Sequence, residues 1–398
     1  MKYDFDKVID RKGTLSYKWE TGNISYPKNP DALPFWIADM DFPCPQPIVD
    51  AIQKRAAHPV YGYSKVADDA AELIAAWEKK RNGWDAKPEW VEFTNGIVPA
   101  LSVMAEAFTE PGDGIIIQPP VYYPFRETII NNGRKVVENK LVYDGGECWK
   151  INFEELEELA KMPENKVLFL CHPLNPVSRV LSRAELERIA DICLRNNVLI
   201  VVDEIHSDLI YKHCKFTSIA GLNKEVEQIC AVATSPSKTF NVAGLQMSAI
   251  FIPNEDLRRK VGEVIDKRVL YIAPLFGAVG FEAAYKYKEC EDYLEQLIDY
   301  LWDNYLFLDD YLKKYMPKIK CQKPDATYLL WLDCKELGLS EQELEEFFLE
   351  EAGIALDVGK DFGGEGGAGY MRINIGCPRV TLEKGLKLLK RAYDKKGY

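Results

Sequence analysis

Several things that define whole classes of function are scarce or missing in this chain of 398 residues. No apolar run approaches the ~20 residues that a membrane-spanning helix needs. The longest, Val269 to Phe281, reads as a buried core segment, so no contact with a membrane is expected. No dense lysine or arginine cluster occurs, and 50 basic against 62 acidic side chains leave a formal charge of −12. A nucleic acid would find no basic track to follow and is not expected as a partner. The ten cysteines form no C-x-x-C pair, and several lie inside apolar runs, as small core residues do in a reducing compartment. No histidine, cysteine and carboxylate set has a metal spacing, His206 and His213 being seven apart, so no catalytic metal is expected. Internal repeats and low-complexity tracts are absent. The start, Met1-Lys2-Tyr3-Asp4-Phe5-Asp6, is acidic and lacks the apolar region of an export signal, which predicts a cytoplasmic protein.

What is present is an ordinary globular composition, 47% apolar and 28% charged, in a chain long enough for two or three domains. From about Glu89 to Asn254, short β-branched runs alternate with segments of helical period. The runs are Trp90 to Phe93, Gly114 to Gln118, Lys166 to Cys171, Val198 to Val202, Gln228 to Ala233 and Met247 to Ile252. Strands this apolar, separated by helices, predict an α/β domain with a parallel sheet covered on both faces. Ser182 opens a capping-box spacing with Glu185, and Leu186, Ile189, Ala190 and Cys193 share one face of the helix that follows. After Phe281 the pattern turns to charged amphipathic helices, Glu289 to Met316 and Ser340 to Ala352, around short strands at Thr327 to Leu332 and Met371 to Ile375. That predicts a second, smaller α+β domain. The Pro-rich stretch from Pro27 to Pro47 reads as an irregular segment crossing the surface of the first domain.

Four local features carry chemistry. Asp203 follows the run ending at Val202, and in an open parallel sheet the carboxyl ends of strands face the ligand crevice; it can equally cap the next helix. Gly96 lies in a strand-to-helix turn whose free N–H groups suit a phosphate, although tight turns of this kind are common without one. Lys238, in Thr234-Ser235-Pro236-Ser237-Lys238-Thr239-Phe240, sits among small and hydroxyl residues between two core strands; a partly buried lysine has a lowered pKa and condenses with aldehydes. Arg372 is flanked by Met371 and Ile373. Together they supply an amine for an aldehyde, a carboxylate for a ring nitrogen, a phosphate cradle and a clamp for an amino-acid carboxylate, which are the needs of pyridoxal 5'-phosphate. By contrast Gly364-Glu365-Gly366-Gly367-Ala368-Gly369 fits a dinucleotide fingerprint only in letters. No strand precedes it and a strand follows, so it reads as a flexible loop leading into Arg372.

In the order and spacing of its motifs the chain resembles the fold-type I pyridoxal-phosphate enzymes of the aminotransferase class I/II superfamily, and within them the cystathionine β-lyases of the MalY/PatB type. The motifs are Ala38-Asp39-Met40-Asp41-Phe42, Tyr61-Gly62-Tyr63, Glu110-Pro111-Gly112-Asp113, Pro120-Val121-Tyr122-Tyr123, Asn175-Pro176, Asp203-Glu204-Ile205-His206, Pro236-Ser237-Lys238-Thr239-Phe240-Asn241, Thr327-Tyr328-Leu329 and Arg372-Ile373-Asn374. The resemblance covers nearly the full length. It implies a large domain (46–280) with a mostly parallel seven-stranded sheet between helices, a small C-terminal α+β domain (281–398), and an N-terminal segment (1–45) contributing to the small one. It further implies that Lys238 bonds to the cofactor aldehyde, Asp203 pairs with the ring nitrogen, Tyr122 stacks on the ring, and Asn175 binds the 3-hydroxyl oxygen with His206 nearby. The amides of Gly96, Ile97 and Val98, with Ser235 or Ser237, would hold the phosphate. Arg372 would bind the substrate α-carboxylate with Asp39 as a further substrate contact, and Tyr63 would reach in from the second subunit of a homodimer. Gln246 stands where many aminotransferases place an arginine, which fits a lyase better than a transaminase. Ser178, Leu174 and Ala326 depart from the common pattern and bear on loop geometry and substrate choice. The implied reaction is β-elimination from L-cystathionine or a related L-cysteine S-conjugate, giving a thiol, pyruvate and ammonia. An aminotransferase on the same scaffold, or a regulatory protein retaining the fold, are the alternatives.

Overall fold

A computed structural model describes residues 2–143, 145 and 148–398. Seven strands form the main sheet: β1 (Val91–Thr94), β2 (Gly114–Ile117), β3 (Lys135–Glu138), β4 (Asn165–Cys171), β5 (Leu199–Asp203), β6 (Cys230–Thr234) and β7 (Ser248–Phe251). Their spatial order is β1-β7-β6-β5-β4-β2-β3. All pairings are parallel except those of β7, which runs antiparallel to both β1 and β6. The six expected runs are all strands. The half-exposed β3, which lacks their continuous apolar run, escaped the pattern. The direction of β7 also had no local signal, because a fully buried strand has the same composition in either direction.

Helices cover the sheet on both faces and define two apolar layers, one lined by Leu168, Leu170, Ile200, Val202 and Val232, the other by Val167, Phe169, Val201, Ala231 and Ala233. The alternation of neighbours along each strand between two layers is the period of two that puts successive side chains on opposite faces. Every residue of β6 is buried. Seven helices matter below: α1 (Gln46–Ala56), α2 (Ile97–Phe108), α3 (Arg183–Asn196), α4 (Pro236–Thr239), α5 (Leu275–Lys286), α6 (Lys288–Tyr315) and α7 (Arg379–Lys395). The Ser182–Glu185 capping box of α3 is formed in both directions, worth about 1 kcal/mol against an uncapped start. Of the stretch Val269 to Phe281, only the part entering α5 is core; Val269 and Tyr271 are exposed.

A second sheet of four antiparallel strands, β8 (Lys320–Cys321), β9 (Leu329–Asp333), β10 (Asp357–Val358) and β11 (Tyr370–Asn374), is ordered β8-β9-β11-β10. Helices α6 and α7 pack on it through Leu308, Leu312, Leu382 and Leu389. The Pro-rich segment is not superficial. Leu33–Pro34 pairs in parallel with Ile354–Ala355, and Phe35, Met40 and Phe42 are buried. Apolar side chains spaced irregularly by prolines carry no helical or strand period, which is why this burial was not legible. None of the described helices is long and apolar enough to cross a membrane.

Candidate active site

The register of the large sheet brings the chemistry to one edge. Cys171 of β4 and Ala233 of β6 both pair with Asp203 of β5 between them, so the segments after these strands all leave the sheet on the same side. Antiparallel β7 closes the set: Ser248 pairs with Thr94 and Ala249 with Thr234, which puts the end of β1 level with the end of β6. The turn at Gly96 and the turn at Ser235 to Lys238 are therefore neighbours, although 142 positions separate Gly96 from Lys238. Parallel strands with crossover helices give this arrangement in general.

Gly96 has φ +109°, a conformation that a side-chain-bearing residue adopts only under strain, and it starts the twelve-residue α2. The free amides of Ile97 and Val98 thus stand at the positive end of a helix, the local geometry for an anion. Across from them Ser235 Oγ accepts from Ser237 N (3.1 Å) and lies 2.7 Å from Ser237 Oγ and 2.8 Å from Met247 O. Ser235 is thus tied to the backbone, and Ser237 is the hydroxyl placed by it.

Asp203 ends β5 fully buried, with Oδ1 accepting the Ile205 N–H at 3.0 Å. Burial raises its pKa to about 6, against the lowering effects of that hydrogen bond and of the Lys238 charge. Lys238 lies on α4, four positions past the end of β6, and its Nζ donates to Ala38 O at 2.5 Å. Burial lowers its pKa to about 8; the Arg372 charge adds to this, while Asp39 and Asp203 oppose it. The acid and the amine are both driven toward their neutral forms by loss of water. Tyr328 OH donates to the same Ala38 carbonyl at 3.0 Å. His206 is buried with Nδ1 unpartnered and is held neutral well below the usual histidine range, by burial first and then by the Lys238 and Arg372 charges. Tyr122, half-buried and 5.3 Å from Tyr123 between ring centres, has its phenol pushed up by burial.

Arg372 is 2% exposed in β11. It donates through Nη1 to Asn175 Oδ1 (3.0 Å), through Nη2 to Trp36 O (3.3 Å) and to Asp357, and its guanidinium lies 4.8 Å from the centre of the Phe362 ring. Nε is buried without a partner. The Gly-rich loop therefore has a fixed place: Phe362 O accepts the Val121 N–H at 2.7 Å, and a Cβ on Gly363 would stand 2.5 Å from Pro119. Asp39 is near Lys238 but committed elsewhere, in a fork with Arg11 at 3.0 and 2.8 Å. Tyr63 is 95% exposed and touches none of these groups.

Of the expected residues, Lys238, Asp203, Arg372, His206 and Tyr122 are thus linked by their charges, and Asn175 joins them through its hydrogen bond with Arg372. Others had no assigned role. Asp357 partners Arg372. Asn374 Nδ2 donates to Ile37 O (2.7 Å) and Asp39 O (2.6 Å), while Asn241 donates to Met40 O and Phe42 O and accepts from Met40 N, so two asparagines pin the strand of chain that carries Ala38. Both asparagines stand inside quoted motifs, which was a signal; Asp357 had none. The donor set matches pyridoxal phosphate in kind: an amine tending to neutrality, a buried carboxyl lacking a cation, an unpartnered imidazole nitrogen, and a glycine turn with free amides.

The model of the family "Aminotransferase class I and II" matches residues 19–389. The chain is 40% identical over 390 residues to cystathionine beta-lyase PatB of Bacillus subtilis (strain 168), covering 98% of this chain and 99% of that protein. Among solved structures, a PLP-bound protein of Clostridium difficile 630, described provisionally as an aminotransferase, superimposes with a TM-score of 0.95 at 38% identity over 98% of this chain and 100% of the other. Cystalysin from Treponema denticola, which contains pyridoxal 5'-phosphate, superimposes with a TM-score of 0.94 at 35% identity over the whole of both chains.

Proposed function

Because the chain belongs to the aminotransferase class I and II family, we propose that it is a pyridoxal-phosphate-dependent carbon–sulfur β-lyase. Its substrates are L-cystathionine or related L-cysteine S-conjugates, cleaved with water to a thiol, pyruvate and ammonia. The observation that carries the reading is the part-buried Lys238 amine just past the end of β6, donating to Ala38 O among the charges of Asp203, Asp39 and Arg372. Bound pyridoxal phosphate supplies an electron sink for the pair released at the substrate α-carbon.

The chain's own groups do the rest. Lys238 would hold the cofactor at its aldehyde carbon and would serve as the base for the substrate Cα proton. A neutral amine is needed for that role, and burial moves Lys238 toward that form. Asp203, costly to ionise alone, would be stabilised as a carboxylate by a cationic ring nitrogen. Asn175 would offer its Nδ2 donors to the ring oxygen, its Oδ1 being used by Arg372. Tyr122 would cover the ring, and Gly96, Ile97, Val98 and Ser237, the last set by Ser235, would hold the phosphate. Arg372 takes the substrate α-carboxylate as a fork, displacing part of its contact with Asp357. Asp39 acts on the substrate end through the Lys238 field rather than by direct contact.

The division into a large domain (46–280), a small domain (281–398) and an N-terminal segment (1–45) that joins the small one belongs to the same proposal. The pairing of Leu33–Pro34 with Ile354–Ala355 supports it. A homodimer belongs to the proposal too: Val60, Tyr61, Tyr63, Val269 and Tyr271 are all exposed, and Ser64 Oγ donates to Ala273 O at 2.6 Å, which brings the two segments that carry them together. Tyr63 would cross that interface into the partner's site. The buried free thiols of Cys171, Cys193, Cys230, Cys290, Cys334 and Cys377 are compatible with a cytoplasmic place.

The test is to give the purified holoprotein L-cystathionine and follow thiol, pyruvate and pyridoxamine phosphate together. Equal, continuing release of thiol and pyruvate is expected. Accumulation of pyridoxamine phosphate and a keto acid without thiol would overturn the reading in favour of an aminotransferase.

A further inference from the structure

Away from the active site, His213, Cys214 and Asp325 bring one ligand atom each to within 4.8 Å of one another. Cys214 Sγ lies 3.1 Å from Asp325 Oδ1, and His213 Nε2 lies 3.5 Å from the same oxygen. Zinc bound tetrahedrally by sulfur at about 2.3 Å and by nitrogen and oxygen at about 2.0 Å has S···O and N···O edges of about 3.3–3.5 Å. The two edges that meet at Asp325 Oδ1 thus already have about the lengths that such a polyhedron needs. The set is also held in place. Asp325 Oδ2 accepts the Val180 N–H at 3.1 Å, and its backbone bonds Ser178 O and Tyr211 N, so Oδ1 is the oxygen left for a cation. The His213 ring is packed 4.9 Å from Trp302 and 6.3 Å from Tyr211, with Nε2 toward the carboxylate.

We propose that His213, Cys214 and Asp325 form a structural zinc site, with water as the fourth ligand, that ties the segment after β5 to the segment entering β9. One thiolate and one carboxylate balance the charge of Zn²⁺. Binding exchanges the S–H···O contact for two metal bonds and releases the thiol proton to solvent. The tie spans 111 positions of sequence. It clamps a junction where Tyr211 OH donates to Thr327 O at 2.7 Å and Ile210 bridges to Ala326, so metal binding stabilises the fold at the join between the two sheets without touching the cofactor space. A pair of adjacent ligands with a third so distant has no spacing signature, which is why the sequence held no sign of it.

The experiment uses the full-length holoprotein, stripped with a chelator and then supplied with Zn²⁺ or Co²⁺ alone. Expected are one zinc retained per chain after desalting, a higher melting temperature reversed by chelator, and tetrahedral Co²⁺ bands at wavelengths beyond the cofactor's absorbance. Zinc should protect Cys214, and not Cys148 or Cys321, from alkylation mapped by mass. Cys214→Ser, which keeps a donor to Asp325, should keep the fold and β-elimination activity but lose zinc retention at least tenfold. Retention equal in wild type and Cys214→Ser, or no protection of Cys214, overturns the site.

Discussion

Asp203 and Lys238 stand at or just beyond the ends of strands in the large sheet, whereas Arg372 sits within a strand of the small sheet and is held by Asn175, Trp36 and Asp357 from three other segments. The two sides differ in charge balance as well as in construction. At the strand ends, burial moves the acid up to about 6 and the amine down to about 8, so both groups wait for a charged ligand. On the small-sheet side the guanidinium already has a carboxylate partner, and Asp357 is raised by its own burial only against the lowering effect of Arg372. Charge that is unbalanced in the free protein serves chemistry. Charge that is balanced there serves binding.

That contrast is broken most severely at Lys238. Lys238→Ala should abolish the visible absorbance of the bound cofactor and lower pyruvate release by more than about 10³-fold, and undiminished turnover would refute its role. Asp203→Asn should retain cofactor but lower kcat by about 10²–10³-fold, read from thiol release at saturating substrate. The same variant sharpens the electrostatic side of the comparison. The folded pKa of Asp203 lies above the ordinary 3.8, so its contribution to stability is complete below about pH 4 and is lost as pH rises through about 6. Urea unfolding of the cofactor-free protein should show a difference between wild type and Asp203→Asn that moves by about 3 kcal/mol across that window.

On the small-sheet side, Arg372→Lys should raise KM by about 10–30-fold with a smaller change in kcat, since one ammonium cannot replace the fork. An equal loss in kcat would put Arg372 with the strand-end groups. The smallest effect belongs to Tyr328→Phe. It removes a single hydrogen bond to Ala38 O, so the loss should be about 1 kcal/mol in stability and below about tenfold in rate, measured by thermal unfolding and steady-state turnover.

Legibility follows the same division. Asp203, Gly96 and Lys238 lie next to apolar runs that announce buried strands, and the end of such a strand is a place that a sequence names. Arg372 was legible as an arginine between apolar neighbours, but its partner Asp357 was not, because the two-residue β10 has too few positions to show a period. The burial of Phe35, Met40 and Phe42 was missed for a similar reason: prolines break the spacing that betrays a buried face. Asn241 and Asn374 were visible as members of motifs, while their work in fixing residues 37–42 depends on contacts 199 to 337 positions apart.

By itself the order of residues determined the alternating strands and helices, the capping box of α3, the strand-end acid and the lysine among small residues, because each rests on interactions within a few positions of the chain. Only the tertiary structure decided the direction of β7, the meeting of the Gly96 turn with Lys238, the Arg372–Asp357 pair and the convergence of His213, Cys214 and Asp325. These depend on pairing register and on burial shared between distant segments, and free energy of that kind belongs to no local stretch of sequence.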